Sequence, residues 1–199
     1  MSALTTLRQL SGLPAAPAAL SESALIIVDA QNTYRTGVMA LEGVEAALDQ
    51  CKLLLERARQ AGIPVIHIQH DAGEGSPYDI SAEIGAIADK VAPISGEPVI
   101  VKHYPSSFVQ TDLHEQLQKI GVKNLIISGF MTHMCINSTA RGAFSLGYSV
   151  LVAADTTATR ALPAIDGAAV SAADVQRSAL AMLGDLFAVV VPRQADIPD

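Results

Sequence analysis

Three side chains of this sequence have the types and positions needed for covalent hydrolytic chemistry: Asp29, Lys102 and Cys135. A thiol attacks a carbonyl carbon once a neighbouring base has taken its proton, and a cation beside the pair stabilises the charges that result. Asp29 closes the apolar run 25–28, where burial raises a carboxyl pKa towards the range of a group that takes and returns protons. Lys102 closes the run 99–101, and a lysine in that setting wants an anionic partner. Thr132 suits an N-cap, which would put Cys135 in the first turn of a helix reaching about residue 146. The free N–H groups and dipole of such a turn favour an anion, so the Cys135 pKa is expected to be lowered. Position alone leaves alternatives open. Cys135 also reads as a small buried hydrophobe, Asp29 as a loop-bonding carboxylate and Lys102 as a solvated charge. Cys51 lies mid-helix in an apolar stripe and reads as core.

These residues can meet only if their carriers end on one edge of a sheet. Short β-branched runs at 24–29, 64–70, 98–102, 124–129, 149–153 and 187–191 are candidate strands. Most are apolar at consecutive positions, which suits strands covered on both faces. Val44, Leu48, Cys51, Leu55 and Ala58 mark one face of a helix over 41–60, closed by Gly62 and Pro64. Leu113, Leu117 and Ile120 mark a shorter helix ended by Gly121, and an alanine-rich helix over 171–183 is expected to stop at Gly184. The alternation predicts an α/β fold with right-handed crossovers and a parallel sheet. Ligands bind such sheets beyond the carboxyl ends of the strands, where Asp29, Lys102 and the segment after Gly129 all lie. The Gly- and Pro-rich interval 71–97 is a long excursion of the kind that covers a site.

Composition narrows the classes. At 199 residues the chain is expected to form one domain, residues 21–199, preceded by an N-terminal arm, residues 1–20. A net charge of −7 argues against a nucleic-acid partner. Two cysteines cannot build a disulfide framework and suggest a reducing compartment. No signal-like start appears and the longest apolar runs are too short to cross a bilayer, so a cytoplasmic location without a membrane partner is expected. Phosphate-loop, dinucleotide, serine-elbow, C-x-x-C and H-E-x-x-H motifs are absent. His67 and His70, three apart on a strand, point to opposite faces and do not suggest a shared metal.

Taken in order, three segments resemble the isochorismatase-like cysteine hydrolase family over about residues 24–191. They are Ala24-Leu25-Ile26-Ile27-Val28-Asp29-Ala30-Gln31-Asn32, Lys102 with Ser106-Ser107-Phe108, and Ser128-Gly129-Phe130-Met131-Thr132-His133-Met134-Cys135-Ile136-Asn137-Ser138-Thr139-Ala140. The resemblance implies a doubly wound, six-stranded parallel sheet in the order 3-2-1-4-5-6 with helices on both faces. It further implies an Asp29–Lys102–Cys135 triad, a cis peptide between Phe130 and Met131, and an oxyanion hole made by the Met131 and Cys135 backbone N–H groups. The namesake isochorismatases, which cleave a vinyl ether, lack the cysteine, so Cys135 points to the amide-cleaving branch. The segment 70–77 lacks the Asp-x-His element of the metal-binding nicotinamidases. A metal-free, cofactor-free enzyme is expected, closer to uncharacterised or streptothricin-hydrolase-like members.

The expected function is therefore a cysteine amidohydrolase cleaving an amide, lactam or carbamoyl bond of a small molecule through a thioester. Tyr34, His70, Phe108, Thr132 and His133 flank the triad in sequence and are the expected substrate-pocket walls. The resemblance implies a homodimer or homotetramer. The competing classes are a thiol-based redox enzyme, for which buried Cys51 is a poor resolving thiol, and a catalytically silent small-molecule binder.

Overall fold

The computed structural model of the chain describes residues 4–199; residues 1–3 of the expected arm lie outside them. Strands and helices are numbered in chain order. β1 (Ser23–Val28) is buried at every position, as an unbroken apolar run requires of a strand covered on both faces. β2 (Val65–His70), β3 (Val99–Lys102), β4 (Asn124–Phe130) and β5 (Ser149–Ala158) follow. A small hairpin of β6 (Leu162–Pro163) and β7 (Ala169–Val170) precedes the last strand, β8 (Val189–Val191). The main sheet is parallel throughout, in the order β3-β2-β1-β4-β5-β8. With the hairpin set aside this is the expected 3-2-1-4-5-6 order. The hairpin itself escaped the sequence reading because two-residue strands carry no periodicity.

Helices α2 (Val44–Ala61), α3 (Leu113–Ile120), α4 (Asn137–Ser145) and α5 (Ala172–Met182) link these strands. Alternate residues of β1 divide the core. Leu25 and Ile27 pack with Leu48, Cys51 and Leu55 of α2, whereas Ala24, Ile26 and Val28 pack with Leu113 and Leu117 of α3 and Ala140 and Ala143 of α4. A buried Leu or Ile contributes about 1.5–3 kcal/mol, so the two-sided burial holds β1 in one register. β3 is an edge strand with Val99 and Val101 exposed and Ile100 and Lys102 buried. This alternation turns Lys102 inward, in register with His70 of β2.

Two boundaries differ from the sequence expectation. β5 runs ten residues, because a bulge lets Ile127 pair with Val152 and Gly129 with Thr157. The carbonyls freed there are satisfied locally, with Thr156 Oγ1 donating to Ala153 O and Thr157 Oγ1 to Ala154 O. Gly184 does not stop α5. The chain continues in a π-helical turn, Leu183–Phe187, before β8. Against that turn lies the N-terminal segment, where α1 (Leu7–Leu10) is capped by Thr6. Arg8 of α1 is buried and donates to Pro14 O and Leu186 O at 2.7 and 2.9 Å. No helix among the described residues is long and apolar enough to cross a membrane.

Candidate active site

The site forms where β1, β3 and β4 end. Asp29 follows β1 with φ +50°, a left-handed conformation that Asp tolerates better than most residues. Its N–H still continues the ladder to Ile68 O at 2.9 Å, and its own carbonyl accepts from the Gln31 N–H at 2.8 Å. Gly129 is required by close approach. It has φ +115°, and a Cβ there would lie 2.0 Å from Val28 O. β4 can therefore run tightly beside the end of β1 and deliver the next segment to Asp29. The Phe130–Met131 peptide is cis, as the resemblance implies.

A π-helical turn, Thr132–Ile136, then leads into α4. Thr132 is not the N-cap that the sequence suggests. Its hydroxyl donates instead to Ala158 O at 3.0 Å, and Met131 precedes the turn without a side-chain cap. The Met131 carbonyl accepts from the Met134 and Ile136 N–H groups, while its own N–H meets no acceptor among the described residues.

Lys102 sits at the centre of the charged cluster. Its Nζ lies 2.7 Å from Asp29 Oδ2, 3.4 Å from Cys135 Sγ and 3.1 Å from His70 Nδ1. Asp29 and Lys102 are fully buried and Cys135 is 5% exposed. An ammonium has three donors and no acceptor, so His70 Nδ1 accepts and the imidazole carries its proton on Nε2. In keeping with a neutral ring, the His70 pKa is pushed down to about 4, by burial and then by the Lys102 charge.

Burial raises the Asp29 pKa, and Lys102 opposes the shift. The Asp29–Lys102 contact is close but poorly aligned as a hydrogen bond, so both carboxylate oxygens keep unfilled acceptor capacity. The Cys135 pKa is also raised, by burial and by the Asp29 charge, against the pull of Lys102. This overturns the expectation of a thiol activated by the helix start alone. The thiol is buried beside a carboxylate, and those two effects outweigh the favourable charge. The arrangement is thus a protonated thiol facing an acceptor, with an ammonium touching both.

Around this cluster Tyr34 is buried, with its ring edge-on to Tyr78 and Phe130 at 5.8 Å between centroids. Burial, and then the charge of Asp29, raise its pKa. Half-buried His70 is edge-on to Tyr78 at 4.9 Å. His133, also half-buried, pairs through Nδ1 with Thr159 Oγ1 at 2.6 Å. Phe108 does not join them. It stacks on Tyr148 at 6.1 Å and lies against Gly142, two helical turns beyond Cys135. The segment after β3 instead anchors to α4, with the Ser107 N–H and hydroxyl meeting Thr139 Oγ1 at 3.1 and 2.9 Å.

Three neighbours escaped the sequence reading. Buried Gln31 clamps the excursion to β2, its amide donating to His70 O and Gly85 O and accepting from the His70 N–H. Tyr78 comes from the excursion itself, where no periodicity marks it. Arg160 lies seven residues past the expected end of β5 and directly follows Ala158 and Thr159, which hold the nucleophile turn. A groove of about 690 Å³, lined in part by Glu42, Gln50, Asp155, Gln176 and Arg193, contains none of the triad. Among the described residues no group of three His, Cys, Asp or Glu side chains is placed to hold a metal ion.

Comparison with known proteins defines the family and agrees with the fold. Residues 23–194 match the isochorismatase domain model, and the chain belongs to the isochorismatase family of hydrolases. A secreted isochorismatase effector of Verticillium dahliae is 34% identical over 189 residues, covering 94% of this chain and 97% of that protein. A streptothricin hydrolase of Streptomyces noursei is 35% identical over 180 residues, covering 88% of this chain and 64% of that protein. The crystal structure of an isochorismatase from Pseudomonas putida KT2440 superposes with a TM-score of 0.94 at 37% identity, covering 98% of this chain and all of that one. One of these relatives is named as secreted, so membership of the family carries no cellular address.

Proposed function

We propose that this protein is a cysteine amidohydrolase that cleaves an amide, lactam or carbamoyl C–N bond of a small molecule through a thioester, without a metal or cofactor. The observation that carries the reading is one buried ammonium in contact with a carboxylate at 2.7 Å and a thiol at 3.4 Å. The relative named streptothricin hydrolase supports hydrolysis of a small molecule.

In this reading Asp29 takes the Cys135 proton, and Lys102 stabilises the thiolate as it forms. The thiolate attacks the substrate carbonyl, whose oxygen is received by the Met131 and Cys135 N–H groups. Protonated Asp29 gives its proton to the leaving nitrogen as the C–N bond breaks, and the acyl group remains on sulfur. Asp29 then takes a proton from water, which attacks the thioester, and the thiol re-forms as the acid departs. His70 positions Lys102 by accepting a hydrogen bond from its ammonium. The raised Asp29 pKa suits a group that gains and loses a proton in each half-reaction.

One observation weighs against the redox alternative. Cys51 and Cys135 belong to the cores on opposite faces of the sheet. Cys51 Sγ is held by Ser128 Oγ and Thr156 O at 3.1 Å, and burial pushes its pKa up to about 12. It is therefore neither near nor reactive enough to resolve an oxidised Cys135. Ammonia release from a panel of amides, lactams and carbamoyl compounds tests the proposal. Turnover by the wild type and none by Cys135→Ala is expected, and undiminished release by that variant overturns the mechanism.

A further inference from the structure

We infer that Gln31 is a positioning residue for this reaction. Its side-chain amide stands in for the backbone that Asp29 takes out of the sheet, and so holds His70, and through it Lys102, in place. This role rests on the amidohydrolase reading and deepens it.

The need arises at the end of β1. In a parallel ladder a residue donates to one carbonyl of its neighbour and accepts from the N–H two residues further along. The last regular bond between β1 and β2 runs from the Asp29 N–H to Ile68 O at 2.9 Å. Continued, the ladder would join the His70 N–H to Asp29 O and the Gln31 N–H to His70 O. Asp29 turns into the left-handed region instead, with φ +50°. The two groups on the β1 side then satisfy each other, the Gln31 N–H donating to Asp29 O at 2.8 Å. That leaves the N–H and C=O of His70 without the strand they face, and covered backbone groups need partners. The Gln31 side chain supplies both. Its Oε1 accepts from the His70 N–H at 2.8 Å, and its Nε2 donates to His70 O at 2.9 Å. The other Nε2 hydrogen goes to Gly85 O at 2.7 Å, so both donors of the fully buried amide are used.

The consequence reaches the lysine. His70 is in register with Lys102 across β2 and β3, and its Nδ1 accepts from Lys102 Nζ at 3.1 Å. Released at its backbone, the end of β2 would no longer fix the ring that orders the ammonium between Asp29 and Cys135. One amide thus meets two requirements. The carboxylate leaves the sheet for the site, and the strand beside it stays.

The test uses variants of the full chain on any amide that the wild type turns over. Gln31→Met keeps the length and removes all three side-chain bonds, so kcat should fall about 10-fold with KM little changed. Because Gln31 acts through His70, adding Gln31→Met to His70→Phe should lower kcat less than about twofold further. Gln31→Glu keeps the acceptor, but its other oxygen faces two carbonyl oxygens and donates only when protonated. Its kcat, as a ratio to wild type at each pH, should lie within about threefold near pH 5 and fall as pH rises. Asn32→Ala loosens the excursion at Glu83 without touching His70 and should leave kcat unchanged. A readout without turnover is the rate of Cys135 alkylation by iodoacetamide against pH. That profile should shift in Gln31→Met and no further in the double variant, with thermal melts reporting the folded fraction. Full kcat in folded Gln31→Met, losses that multiply with His70→Phe, or an equal loss in Asn32→Ala overturns the inference. So does a Gln31→Glu ratio that is flat with pH, which decides alone if Gln31→Met does not fold. The two readings fail separately. Cys135-dependent turnover that is indifferent to Gln31→Met removes only the positioning role. An alkylation profile that depends on Gln31, with no hydrolysis of any amide, removes only the amidohydrolase reading.

Discussion

Two buried charged clusters in this molecule use the same kinds of side chain and shift their carboxyl pKa values in opposite directions. In one, Glu97 accepts from Arg59 through two bonds of 2.8 Å, from His67 Nε2 at 2.9 Å and from the Ile94 N–H at 3.0 Å. These donors, with Arg59 the largest influence, hold the Glu97 carboxyl down at about 2. In the other, Asp29 touches a single ammonium off the hydrogen-bond line and keeps unfilled acceptor capacity, and burial raises its pKa. Both carboxylates have a cation and a histidine nearby. Donor count and alignment make the difference. A carboxylate surrounded by aligned donors cannot take a proton without losing them, so Glu97 is a structural anion. Asp29 can take one, so it suits proton transfer.

The largest expected effect lies on the reactive side. Cys135→Ala and Asp29→Asn should each lower kcat/KM by about 10⁴-fold or more, and the double variant by hardly more than either, because the groups act as a unit. Steady-state kinetics on any amide turned over by the wild type measures this, and additive losses would show that Asp29 and Cys135 work independently.

The structural cluster should respond in stability instead. Glu97→Gln is expected to cost about 2–3 kcal/mol in urea unfolding while activity per folded molecule is kept. The pH dependence follows in sign. The folded pKa of Glu97, about 2, lies below its unfolded value. Its contribution is therefore complete above an unfolded pKa of about 4.3 and is lost as pH falls towards 2. Unfolding free energies measured across that window should flatten in Glu97→Gln.

A smaller effect separates the two histidines. His70→Phe removes the acceptor that orients Lys102 and should lower kcat about 10- to 30-fold with little change in KM. His70→Asn supplies another acceptor and should recover most of the loss. Wild-type activity should fall as pH drops through about 4, where His70 gains a proton and can no longer accept from Lys102. That limb should be missing in His70→Asn, with circular dichroism at the same pH reporting the folded fraction. The smallest effect is expected at the other cysteine. Cys51→Ala should cost no more than about 1–2 kcal/mol and leave both turnover and Cys135 alkylation unchanged.

Much of the frame was legible in the amino-acid order, and the failures share a cause. The consecutive apolar residues of β1 announced a two-sided strand, and the 4-3-4-3 spacing along α2 announced its buried face. Phe108 was misplaced because it lies six residues from Lys102 in sequence, whereas the Ser107–Thr139 contact draws it along α4 into the core. Thr132 looked like a cap because the carbonyl that claims its hydroxyl, Ala158 O, belongs to another strand. Tyr78 and Arg160 had no local signal at all, and Gln31 stood in the first matched segment with nothing to mark it as the clamp on His70. Each reaches the site through a long excursion, a cross-strand amide or a bulged strand.

By itself, then, the sequence determined the kinds of chemistry on offer and the strands that bear them, because period, apolar runs and turn residues act over a few positions. It also set the order in which acid, lysine and thiol appear. Only the tertiary structure decided their state. Which carboxylate is left short of donors and which thiol is buried beside it depend on groups tens of residues away, because burial and hydrogen-bond alignment are properties of the assembled sheet edge.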